Sequence, residues 1–206
     1  MGVENATSSK LEKSVMSAQS SALHGGEDRL RNPEPSLTPH PIGPGVRIGH
    51  VHLKVADLER ALAFYCGVLG FELMQRYGNQ AAFVSAGGYH HHIALNTWDS
   101  KDGSPPPPGS TGLYHLAILY PSRHALADAL NRLRAAKIPL TGASDHGVSE
   151  ALYLDDPDGN GVELYWDRPE ELWPRTQNGH LDMYTRPLDV PALLASRKDH
   201  ASSVGC

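Results

Sequence analysis

Three residues carry the chemistry that this sequence suggests first. His50 stands in the segment IGHVHLKV, three residues before Leu53 and five before Val55, and His115 stands in LYHLAILY, three before Ile118. Glu163 lies between Val162 and Leu164, directly after the turn Asp156-Pro157-Asp158-Gly159-Asn160-Gly161. Side chains alternate across a strand, so a carboxylate between two apolar neighbours points away from both. In a curved sheet that direction is the concave face. Two imidazoles and one carboxylate gathered there hold one divalent metal and leave coordination positions open. A lone strand histidine is usually a satisfied core or surface residue, and a lone glutamate is usually solvated. The spacing shifts that balance. His50 and His115 are 65 residues apart, and so are two candidate helix caps, Asp57 and Ser122. A shared offset of this kind indicates an internal repeat with the two histidines at equivalent places.

The elements that must position these residues follow from periodicity. Residues 48–55 alternate and predict a strand. Asp57 suits the N-cap of a helix through LERALAFYCGVL, whose apolar face is Leu58, Ala61, Leu62, Tyr65 and Leu69, and Gly70 ends it. Three short strands are expected at 71–76, 81–85 and 91–96. Residues 99–111, DSKDGSPPPPGST, form a linker, because four prolines continue neither a helix nor a central strand. The pattern then restarts. A strand is expected at 113–120, then a helix capped by Ser122 with Leu126, Leu130 and Leu133 inward, then strands near Leu140, at 151–154 and at 161–166. The reading is an α+β chain of two βαβββ repeats, 46–98 and 112–168, expected to form a curved mixed sheet, a cup, around the metal site. Residues 1–45 are rich in Ser, Glu, Asn, Gly and Pro and read as a disordered leader. Residues 169–206 read as a Pro-interrupted extension that wraps the surface or covers part of the cup, with its last ten residues loose.

Composition narrows the function classes. Of 206 residues, 40% are apolar and 20% charged, as in ordinary soluble globular proteins, and the net charge of -5 argues against nucleic acid as a partner. Two cysteines, Cys66 and Cys206, make no disulfide framework, no apolar run is long enough to span a membrane, and no secretory signal opens the chain. The expected location is cytoplasmic. The turn 156–161 lacks the full ligand ladder of a calcium-binding loop and reads as a structural turn.

The segments IGHVHLKVADLERALAFYCGVLGFEL, LYHLAILYP and LYLDDPDGNGVELYW, in that order, resemble the vicinal oxygen chelate superfamily over residues 47 to 168. That superfamily includes glyoxalase I, fosfomycin-resistance transferases and extradiol ring-cleavage dioxygenases. The resemblance implies paired repeats around an ion, with His50, His115 and Glu163 as its ligands. Fold does not fix the reaction in such a family, so the site must. Glyoxalase-like members add a fourth ligand from the last strand of the first repeat. The matching residue here is Ala94, which cannot bind a metal. The remaining two-histidine, one-carboxylate set suits Fe(II), dioxygen and a chelating substrate.

Extradiol dioxygenases also place a His-His pair before that strand. Matching this pair through Ile93-Ala94-Leu95 selects His91 as the acid–base residue, whereas strand alternation from Ala94 selects His92. Both stand as candidates. Tyr153, ten residues before Glu163, and His146, in SDHGVSEALY, resemble the substrate-binding Tyr and His of the same enzymes. The expected function is Fe(II)-dependent extradiol cleavage of a catechol-type diol by dioxygen, with Mn(II) or another divalent metal as the alternative ion. Rival readings are a metal-dependent thiol or glutathione transferase, a glyoxalase-like lyase, and a non-catalytic small-molecule binder. The linker allows the repeats to pair within one chain or between chains, so a homo-oligomer is among the expectations.

Overall fold

The computed structural model describes residues 41–203, with side chains through Arg197. Most of the expected leader therefore lies outside the described residues. The chain divides at Val46/Arg47. The described part of the first unit is a turn in which the Val46 N–H donates to the Gly43 carbonyl at 3.0 Å. Every described helix and strand belongs to the second unit.

The first repeat runs β1 (Val51–Lys54), α1 (Leu58–Leu62), a π-helical turn (Ala63–Val68), β2 (Glu72–Tyr77), β3 (Ala81–Ser85) and β4 (Ile93–Asn96). The second runs β5 (Leu116–Leu119), α2 (Arg123–Ala135), β6 (Gly142–Asp145), β7 (Ser149–Asp155) and β8 (Gly161–Asp167). The two predicted caps act as read: Asp57 Oδ1 accepts from the Arg60 N–H at 3.0 Å and Ser122 Oγ from the Ala125 N–H at 3.1 Å. Sheet one has the order β1-β4-β3-β2, and sheet two has β5-β8-β7-β6 with β9 (Arg186–Pro187) added at its end. In both repeats the first strand pairs in parallel with the last and the other neighbours are antiparallel. The repeat inferred from the 65-residue offset is thus a repeat of topology.

Three expectations change. The strands form two sheets rather than one, and β1 and β5 each close an edge. The extension is more ordered than its prolines suggest: β9 joins sheet two, and α3 (Val190–Ser203) packs on α2 with Leu193 fully buried. Its last ten residues are therefore helical as far as Ser203. Strand ends are also trimmed, because Ile48, Leu113 and Tyr114 are apolar by type but exposed.

A single apolar cluster joins the repeats. Leu53, Val55, Leu62, Tyr65 and Leu95 of the first pack with Leu126, Leu130, Leu133, Leu152 and Leu164 of the second. Each such fully buried side chain contributes roughly 2 kcal/mol of transfer free energy. The turn before β8 is stitched to the first repeat by polar bonds. Asp158 Oδ1 accepts from the Ala56 N–H at 3.0 Å and from Arg60 Nη2 at 2.6 Å. Asp156 Oδ2 accepts from the Tyr65 hydroxyl at 3.0 Å and from Asn160 Nδ2 at 2.9 Å, while its Oδ1 accepts from the Asp158 and Asn160 N–H groups, both at 2.9 Å. The turn is structural, as its sequence indicated. Gly161, which follows it, has no alternative: a Cβ there would stand 2.2 Å from the Tyr114 carbonyl oxygen.

Candidate active site

His50 and His115 immediately precede β1 and β5, and pairing registers fix what lies beside them. His52 is opposite Ala94 across β1 and β4, and Ala117 is opposite Glu163 across β5 and β8. His52 and Ala117 are themselves 65 residues apart. Ala94 therefore occupies in sheet one the place that Glu163 occupies in sheet two. The next strands repeat the match, with Phe83 opposite Ala94 and Tyr153 opposite Glu163.

On sheet two the predicted residues come together. His115 Nε2 lies 2.9 Å from Glu163 Oε2. The Tyr153 hydroxyl donates to Glu163 Oε1 at 3.0 Å, and His146 Nε2 is 2.7 Å from that hydroxyl. Burial, and then the bond to Glu163, holds the Tyr153 phenol well above its ordinary pKa, so it is a proton donor at neutral pH. His115, His146 and Tyr153 border a cleft of about 530 Å³, lined also by Tyr114, Gly142 and Thr185. The pair His115 and Glu163 fits a metal in donor chemistry and in spacing. Two N and O donors each about 2.1 Å from one ion and at right angles are about 3 Å apart.

Sheet one carries a second cluster. The His50 and His91 rings are 4.4 Å apart between centroids, and His91 stacks edge-on to Phe83 at 5.1 Å. His90 Nδ1 is 2.8 Å from His91 Nδ1, and His52 packs against Trp98 at 5.3 Å. Desolvation, and then the neighbouring imidazoles, lowers the pKa of His91; desolvation and then His50 does the same to His52. His92 is tied back instead, its Nδ1 lying 2.9 Å from Ser85 Oγ and accepting from the Ala86 N–H at 3.3 Å. Both histidines precede β4 rather than lying in it, so strict alternation does not extend to them. His91, not His92, stands beside His50.

The two clusters are not one. Among the described residues no three His, Cys, Asp or Glu side chains are gathered so as to hold a metal ion. His115, Glu163, Tyr153 and His146 meet on sheet two; His50 and His91 meet on sheet one. One donor pair fits a metal, and the third predicted ligand is not brought to it within the chain.

Sequence reasoning missed two parts of this site. One is the backbone and hydroxyl that bracket His146: its Nδ1 is 3.1 Å from both the Tyr184 carbonyl oxygen and Thr185 Oγ1. The other is Arg168, just past β8, which clamps the β6–β7 turn that carries His146. Its guanidinium donates to Asp145 Oδ1 at 2.6 Å, to Asp145 Oδ2 at 3.0 Å and to Glu150 Oε1 at 3.0 Å, and Glu150 also accepts from Arg123 Nε at 2.8 Å. No local pattern announces either contact. The hydrogen bond to Arg168 is the main cause that holds the Asp145 carboxyl below its usual pKa. A depressed folded pKa contributes stability above the unfolded value of about 3.9, lost as pH falls through the folded value. Urea unfolding of the wild type between pH 7 and 3 is expected to show that loss at the acid end. Arg168→Ala is expected to start less stable at pH 7 and to fall less steeply with acid. A parallel pair of curves would contradict the clamp.

Residues 47–164 match the Glyoxalase/Bleomycin resistance protein/Dioxygenase superfamily. The chain is 42% identical over 153 residues to a catechol-2,3-dioxygenase of Bacillus subtilis, covering 74% of this chain and 52% of the relative. It is 34% identical over 145 residues to biphenyl-2,3-diol 1,2-dioxygenase 3 of Rhodococcus globerulus, covering 68% of this chain and 73% of that one. The match thus spans about half the length of the Bacillus protein. A glyoxalase/dioxygenase from Nostoc punctiforme shares the fold, with a TM-score of 0.52 at 21% identity over 63% of this chain and 98% of the other. With topology, register and sequence in agreement, the chain belongs to the Glyoxalase/Bleomycin resistance protein/Dioxygenase superfamily.

Proposed function

We propose that the protein is an extradiol dioxygenase that opens a catechol-type aromatic diol with dioxygen, using Fe(II), with Mn(II) the alternative. One observation carries the reading: the His115–Glu163 donor pair is backed by the hydrogen-bonded chain Tyr153–His146 at the edge of an open cleft. Its relatives named as dioxygenases of catechol and biphenyl-2,3-diol support it. Ala94, in the register of Glu163, supports it against a four-ligand lyase.

Each residue has a role set by its surroundings. His115 and Glu163 would hold the ion, and His50, with His91 beside it, would complete the set from a second copy of the chain. A bound Fe(II) supplies Lewis acidity and a one-electron redox couple. Tyr153, kept protonated, orients a substrate oxygen by hydrogen bonding. His146, or His91 from the facing sheet, takes the proton that a catechol hydroxyl sheds and later returns it, work suited to an imidazole near neutrality. His92, bonded to Ser85, supports the turn that aims His91.

Anaerobic loading with Fe(II), followed by a panel of catechols and then oxygen, tests this. Oxygen consumption matched mole for mole by a yellow ring-opened product is expected. No uptake with any catechol, together with thiol-dependent opening of an epoxide, would replace this reading with the transferase.

A further inference from the structure

Tyr114 stands immediately before His115 and borders the same cleft. Its surroundings differ from those of Tyr153, the other tyrosine there. Tyr153 is half-buried and bonded to Glu163, whereas Tyr114 is 91% exposed. Exposure of one aromatic side chain is ordinary by itself. Three further observations give it direction.

The backbone that carries the ring is fixed. The Tyr114 carbonyl oxygen lies so close over Gly161 that a Cβ there would stand 2.2 Å from it. The ring centroid is 5.5 Å from that of His115, so the ring sits at the lip of the cleft beside a metal donor, with most of its surface uncovered. The repeat shows that the ring is not a requirement of the fold. The 65-residue offset that pairs His115 with His50 pairs Tyr114 with Gly49. Crowding does not impose that glycine, since a Cβ at Gly49 would meet only the Tyr89 hydroxyl, at 3.9 Å. Sheet one, with Ala94 in the register of Glu163, thus lacks both the carboxylate and the ring at this place. The far side of the cleft is low. Tyr114 precedes β5 at one edge of sheet two, and three strands away on β6 stands Gly142, whose added Cβ would already meet the Tyr153 ring at 3.4 Å. A flat ligand held at His115 and Glu163 therefore has an aromatic face on one side and open space on the other.

We propose that Tyr114 is a substrate-binding residue whose ring packs on the aromatic ring of a diol held at His115 and Glu163. Such pairs form with centroids about 4.5–7 Å apart, stacked with an offset or edge to face. The contact selects aromatic chelators over aliphatic ones. It deepens the dioxygenase reading and rests on it for the identity of the ligand.

The test uses the full chain loaded anaerobically with Fe(II). It is titrated with 4-nitrocatechol, followed by absorbance, and with acetohydroxamate, a chelator without a ring, by displacement of the nitrocatechol. Tyr114→Ala is expected to weaken nitrocatechol about fivefold, the worth of one aromatic contact, and acetohydroxamate less than about twofold. Tyr114→Phe should bind both as wild type does. Metal content and sedimentation should not change. In catechol cleavage, Tyr114→Ala should raise KM about fivefold with kcat within about twofold. Wild-type affinity for nitrocatechol in Tyr114→Ala, or an equal loss for both chelators, overturns the proposal. So does a smaller particle on sedimentation, which would put the ring at a contact between copies of the chain. Should wild type bind nitrocatechol yet consume no oxygen with any catechol, the dioxygenase reading fails while the titrations still decide the role of Tyr114. No binding of nitrocatechol by wild type overturns both.

Discussion

Replacing Glu163 with alanine is expected to strip the protein of stoichiometric metal and to cut catechol cleavage by more than about 100-fold. Loss of a partner that merely orients a ligand costs 10–100-fold in many sites, and Glu163 is proposed as a ligand itself. It also accepts from Tyr153, so its removal takes away one ligand and disconnects Tyr153 and His146 from the other, His115. His50→Ala is expected to be as damaging, although His50 belongs to the other cluster. The two variants together report how the ligand set is completed. If His50 comes from a second copy, a two-fold dimer holds two sites, each with His50 from one chain and Glu163 from the other. A mixed dimer of the two variants then has one intact site and one doubly defective one. Random exchange makes about half of all dimers mixed, so about a quarter of wild-type activity should return on mixing two nearly inactive proteins. Absence of any recovery after verified exchange would show that each chain closes its own site.

Asp156→Ala is expected to be the most destabilising single change in the turn before β8. The residue is 5% exposed and accepts four hydrogen bonds, from the Tyr65 hydroxyl, the Asp158 and Asn160 backbone and the Asn160 amide. Truncation leaves those donors without it, and Tyr65, fully buried, has no water to turn to. An unsatisfied buried donor costs about 1–3 kcal/mol, and a total near 3 kcal/mol is a conservative sum for this group. For a chain of this size that lowers Tm by roughly 6–12 °C. Thermal unfolding followed by circular dichroism reads the shift directly. Asp156→Asn, which keeps acceptor capacity on one oxygen, should lose less. A Tm within about 2 °C of wild type for the alanine variant would mean that the turn is held by its backbone alone. Glu163 follows this turn by two residues past Gly161, so the same change should also weaken metal retention.

Much of this was legible in the sequence, for reasons that differ by residue. The 65-residue offset of His50 and His115 and of their helix caps read correctly because capping and alternation are local chemistry, set by a few neighbours. The equivalence of Ala94 with Glu163 came only from the pairing register, which aligns the last strands of the two repeats. Equivalence places two residues on corresponding faces; it does not make the faces meet, and here sheet one and sheet two carry separate clusters. His91 and His92 could not be separated from sequence because they sit just before β4, where pleat rules lapse and contacts to His50 and Ser85 decide. Arg168 and the Tyr184–Thr185 strap escaped altogether. Thr185 is 39 residues from His146 in the chain, and only the folding of the extension along β6 joins them.

The bonds from Asp158 and Asp156 to the first repeat, and the common apolar cluster beneath them, bear on the exposed proline run 105–108. Cohesion of the two halves resides in their shared interior, not in the covalent tether between them. The tether keeps them at high local concentration while they find each other. Once they have docked, its length and composition are free to drift without loosening the body they connect.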